Sequence, residues 1–151
     1  MTARLLLVAA CALALIGAAQ ASTEEAMPGV QDARQAHSDY KLKCQGCHRP
    51  DGSGDLVSNP PMNGHVARFL SVPGGREFLG QVPGVATVDL DDARLANLLN
   101  WTLYRFDREN LPDDFKPYSA TEISALRKRP LRAERAAVRE GLVAQMSGVK
   151  F

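Results

Sequence analysis

The chain has 151 residues, with 18 Lys or Arg against 17 Asp or Glu and a formal charge of +1 at pH 7. So even a balance gives no pointer to nucleic acid. The length suits one domain, and no segment repeats, which excludes solenoid and array architectures.

Arg4 is followed by an apolar run from Leu5 to Ala19 and then by Ala19-Gln20-Ala21, a small-x-small cleavage pattern. Residues 1–21 are therefore expected to be a signal peptide, removed on export to the periplasm. A retained membrane anchor is the weaker reading, because a run of about 15 residues falls short of the roughly 20 that span a bilayer. A lipoprotein site at Val8-Ala9-Ala10-Cys11 would leave too short an apolar core in the signal. Cleavage after Ala21 takes away one arginine and no acid, and leaves Cys44 and Cys47 as the only cysteines. Residues 22–30, broken by Pro28-Gly29, read as a loose leader.

From Gln31 to Lys43 the pattern is helical, with Ala33, Ala36, Tyr40 and Cys44 on one face. His37 is expected to face solvent. The helix delivers Cys44-Gln45-Gly46-Cys47-His48, the spacing of covalent c-type haem attachment. Two thiols a helical turn apart bond to the porphyrin edge, and the adjacent imidazole reaches the iron. Three plainer readings compete. Zinc would need a second ligand pair, but the other candidates are only Cys11, His37 and His65. A thioredoxin-like redox pair would follow a Val/Ile-rich strand, and none precedes Cys44. A disulfide between residues three apart leaves His48 as coincidence. With a single motif, one covalently attached haem c is expected.

Arg49 to Asp55 is rich in turn residues, and Pro60-Pro61-Met62-Asn63-Gly64 follows about a dozen residues after His48. With these segments the chain resembles the class I c-type cytochromes over about residues 31–106. Members often carry Cys-x-x-Cys-His, then Gly/Pro-Asp-Gly-x-Gly, then Pro-x-Leu-x-Gly. The resemblance implies an all-α fold of cytochrome c type wrapped round the haem. It implies that the Pro60 carbonyl accepts the His48 Nδ1 proton, and that Met62, at the family's Leu position, packs against the haem on the histidine side.

Short helical pieces are expected over residues 66–70 and 74–82, closed by Pro83-Gly84. The strongest helix follows, with Asp91 as N-cap and Leu90 and Leu95 as a hydrophobic staple across it. It runs to about Phe106 on a stripe of Leu95, Leu98, Leu99, Thr102, Leu103 and Phe106, with Trp101 and Tyr104 beside it as core aromatics.

The family's methionine ligand belongs in the loop before that helix. Here the loop is Val82 to Asp89 and contains no Met, His or Lys. The sixth position is left to Met62, to His65, to a remote group such as Met146, or to no protein ligand. Met62 stands slightly ahead, because thioether is what the class uses. Met27 lies too near the leader to favour.

Residues 107–151 extend beyond the resemblance and are expected to pack on the same domain. Leu111 to Tyr118 is a proline-bounded connector, and Ser119 with Glu122 forms a capping box for a short helix stopped at Pro130. Residues 131–146 make an amphipathic helix on Leu131, Val138, Leu142 and Met146, with arginines 132, 135 and 139 on the wet side. That helix is read as a solvated surface, or as a basic dock for an acidic partner.

The resemblance implies a periplasmic electron carrier with no catalytic activity of its own. Its partners would be a periplasmic dehydrogenase, another cytochrome or an oxidase. The alternatives are a haem with an open iron that binds a small diatomic ligand, and a fixed subunit of a larger oxidoreductase. Neither nucleic acid nor, after signal cleavage, a membrane span is expected.

Overall fold

The computed structural model describes residues 26–55 and 58–146. The signal peptide expected over residues 1–21 lies outside them. Seven α-helices follow in order: α1 (Ala33–Lys43), α2 (Gln45–His48), α3 (Gly75–Gln81), α4 (Pro83–Ala86), α5 (Asp92–Asp107), α6 (Ala120–Leu126) and α7 (Arg135–Gln145). Two 3₁₀ turns, Ala67–Ser71 and Arg108–Asn110, join them. No strand occurs among the described residues, so the fold is all-α, as expected.

The long helix α5 is the spine. Its start is set by Asp91, whose Oδ1 accepts the Arg94 N–H at 2.9 Å, with Leu90 and Leu95 both buried across the cap. From Leu95 to Leu103 every residue is buried, because α1 covers one side and α6 another. Tyr40 of α1 meets Trp101 and Phe106 with ring centroids 5.6 and 5.1 Å apart. Beneath them Arg94 pairs with Asp39, a carboxylate only 1% exposed. A charge so buried is tolerable only with such a partner.

Two buried asparagines on α5 tie down chain on either side. Asn97 Oδ1 accepts the N–H groups of Gln31 and Asp32 at 2.7 and 3.2 Å. Asn100 donates to the carbonyls of Gly29 and Tyr118 at 3.1 and 3.0 Å and accepts the Tyr118 N–H at 2.8 Å. The end of the expected loose leader is therefore pinned. Its backbone groups are satisfied by a side chain that no local pattern identifies.

Residues beyond 107 pack onto the same core. Tyr118, Ile123, Leu126, Leu142 and Met146 join the apolar cluster built on α5. Ser119 caps α6, accepting the Glu122 N–H at 3.2 Å, but Glu122 does not reach back to complete the box. Its carboxylate is taken by Arg76, with Nε and Nη2 at 2.6 and 2.8 Å, which fastens α3 to α6. The last helix starts at Arg135 rather than at residue 131, and Leu131 spends its N–H on the Gln81 carbonyl at 2.9 Å.

Candidate functional site

Between α5, α3, the 58–62 segment and α7 lies a cavity of about 470 Å³. Its walls are largely apolar, with Val66, Phe69, Phe78, Leu79, Leu95, Leu98 and Leu99 among them. Cys44, Cys47, His48, Pro60 and Met62 all line it, so the structure brings five of the six expected site residues together.

The local backbone explains how. After α1 ends at Lys43, one further turn begins at Cys44, whose carbonyl accepts the N–H groups of Cys47 and His48 at 3.1 and 3.0 Å. That turn sets both sulfurs and the imidazole on the cavity side. The chain then reverses through Gly52 and Gly54, whose φ values are +75° and +62°. A Cβ at Gly54 would stand 1.9 Å from the Asn59 carbonyl oxygen, so only glycine fits this left-handed, close-packed turn. The reversal is closed by Met62 N–H to Gly52 O at 2.8 Å and Gly54 N–H to His48 O at 3.2 Å. It carries Pro60 back against the histidine.

The His48 Nδ1 is buried and has no aligned hydrogen-bond partner. The nearby Pro60 carbonyl nonetheless favours the protonated ring, though desolvation is the larger effect and lowers the pKa. The expected contact is thus an approach of the two groups, short of a formed hydrogen bond. Cys44 is a free thiol whose pKa burial pushes up to about 11, and Cys47 is a free thiol exposed at the rim. No disulfide joins them. Among the described residues no three His, Cys, Asp or Glu side chains converge as a metal-binding group.

His65 does not line the cavity. It sits half-buried among Arg68, Asp107 and Arg139, its pKa lowered by desolvation and then by Arg68. Met146 is buried in the protein core, and Met27 borders a separate shallow cleft with His37 and Trp101. His37 itself is exposed and stacks on Trp101 with centroids 5.6 Å apart. Among the described residues Met62 is the sole methionine on the cavity wall.

The segment that replaces the expected ligand loop forms α4 and lines the cavity with Val82, Pro83, Gly84, Val85 and Val88. Arg127 clamps it from outside, donating to the carbonyls of Ala86, Val88 and Leu90 at 3.2, 2.5 and 2.7 Å and to Asp92 at 3.0 Å. Of the arginines expected on the wet side of the last helix, Arg132 and Arg135 are exposed and Arg139 is half-buried, and Arg135 and Arg139 also border the cavity.

The residues present fit a c-type haem. Two thiols stand one turn apart at the edge of an apolar cavity, an imidazole with a buried ring nitrogen faces in, and its supporting carbonyl is at hand. No family model matches the chain. Two relatives do, both named cytochrome c-552 and both from Thermus thermophilus. Each is 33% identical over 107 residues, which is 59% of this chain and 82% and 72% of the respective relatives.

Proposed function

The chain belongs to the c-type cytochromes, haem proteins of electron transfer, and on that premise we propose that it is an exported monohaem carrier of single electrons. Its donor would be a periplasmic dehydrogenase and its acceptor another cytochrome or an oxidase of the respiratory chain. The observation that carries this reading is the convergence of Cys44, Cys47, His48 and Pro60 on one apolar cavity. When bound, the haem supplies the one-electron couple, and the protein tunes it.

Each residue has a role under this reading. Cys44 and Cys47 would hold the haem through their sulfurs. His48 would offer its imidazole to the iron, with the Pro60 carbonyl near its ring to orient it. Met62 is the methionine among the described residues that lines the cavity and would be the candidate for a second protein ligand. The apolar side chains of α3 and α5 would keep water away from the bound group. No helix of the described residues is long and apolar enough to cross a membrane.

A second reading is favoured by one observation: the Val82–Val88 stretch of the wall bears no group able to bind iron. Were Met62 to pack against the haem, that side would stay open to a small diatomic ligand. Carbon monoxide separates the two. A ferrous spectrum that does not change on adding the gas supports the carrier with Met62 bound, and Met62→Leu should then become reactive. Ready binding by the wild-type protein moves the ligand-binding reading ahead.

A further inference from the structure

Among the described residues, the fixed charges along the cavity are all of one sign. Lys43, Arg135 and Arg139 line it, and no described Asp or Glu does. Two of the three come from α7. On that helix Arg135, Arg139, Leu142 and Met146 fall at intervals of four, three and four residues, which makes a single stripe facing the body of the protein.

The stripe changes character along its length. Leu142 and Met146 are 5% and 6% exposed and belong to the core, whereas Arg135 and Arg139 lie where the cavity begins. Arg135 is exposed at the cavity mouth and Arg139 is half-buried; withdrawing a guanidinium from water is costly, and an anionic neighbour offsets that cost. Arg139 registers the cost, since desolvation pulls its pKa below the ordinary arginine value. The helix is also held in place: Leu131 is bonded to Gln81, and Leu142 packs beside Gly74, where a Cβ would meet its Cδ2 at 3.7 Å.

We propose that Arg135 and Arg139 bind the anionic edge of the haem, its propionate carboxylates, so that α7 is a second anchorage for the cofactor beside the two thiols. This inference rests on the haem reading of the cavity. The planar fork of a guanidinium suits carboxylate oxygens, and two forks one helical turn apart suit a group with two carboxylates. Positive charge so placed also favours the ferrous state, because reduction adds an electron to the site.

The test compares the haem-loaded wild-type protein with Arg135→Gln/Arg139→Gln, with Arg135→Lys/Arg139→Lys, and with Arg132→Gln as a charge control. Arg132 is exposed and does not line the cavity. Each protein is poised at the potential where the wild type is half reduced, and the ferrous-to-ferric ratio is read from the visible spectrum. In the double Gln variant the ratio should fall about tenfold, equivalent to about 59 mV for one electron. The control should stay within about twofold of the wild type, and the double Lys variant should recover most of the loss. A double Gln variant that keeps its haem and matches the control overturns the anchorage and leaves the functional reading standing. A wild-type chain that binds no haem overturns both. Single Arg135→Gln, at an exposed position, gives the same readout with the smallest disturbance to folding.

Discussion

The two sides of the cavity are built on different principles. The 44–62 segment is dense in chemistry, with thiols, an imidazole and a thioether presented by a turn that glycines and backbone hydrogen bonds hold closed. The 82–88 segment presents valines, a proline and a glycine, and its shape is imposed from behind by Arg127. Where a carrier of this class normally finds its second axial ligand, this chain has placed a structural plug. The lesson is that the residues for attachment and for axial completion are separable: the thiols and imidazole for the first converge on the cavity, and among the described residues Met62 is the single candidate for the second on its wall.

The largest effect should come from removing what makes the first side special. Cys44→Ala/Cys47→Ala should abolish haem staining after denaturing electrophoresis, and staining at the wild-type level would break the contrast outright. Next in size is His48→Ala, which removes the one histidine on the cavity wall. It should cost the ferric protein its low-spin spectrum; an unchanged spectrum would mean that the iron is ligated from elsewhere.

On the other side, Arg127→Ala strips three carbonyls and Asp92 of a charged donor. A loss of about 2–4 kcal/mol in unfolding free energy is expected from thermal or denaturant melts, since charged hydrogen bonds of this kind contribute substantially. A change within about 0.5 kcal/mol would mean that the plug holds its own shape.

The smallest effect concerns pH. Asp107, on the far end of α5, accepts the Ala67 N–H at 2.7 Å and the Asn110 amide at 2.5 Å, yet burial dominates and raises its pKa. The folded state therefore holds this proton more tightly than the unfolded chain does. Its contribution to stability is most favourable below the unfolded carboxylate value and is lost as pH rises through the folded one. The stability difference between wild type and Asp107→Asn should move with pH across that window and level off above it. A difference that stays flat from pH 3 to 7 would contradict the sign, those limits being roughly where a carboxylate titrates.

Much of this architecture is legible in the chain itself. Asp91 with its leucine staple gives the start of α5, the apolar stripe gives its buried face, and Cys44 to His48 gives the site. These features are local, and each is decided by neighbours within a few residues. Asn97, Asn100 and Arg127 are not legible, because each serves backbone groups from 18 to 71 residues away. Two polar residues three apart within the apolar stretch of α5 were the available hint. Arg139 is half-buried for another reason: which side of α7 meets a cavity depends on packing against segments distant in the chain, which its own periodicity does not contain. His65 lies only three residues beyond Met62, yet Met62 lines the cavity and His65 lies among Arg68, Asp107 and Arg139.

The most direct test of the central claim is the intact mass of the purified protein under denaturing conditions. The expected result is one species, the chain from Ser22 to Phe151 plus one haem, which reports covalent attachment, stoichiometry and signal cleavage together. A mass equal to the bare polypeptide, with haem released on unfolding, would contradict it.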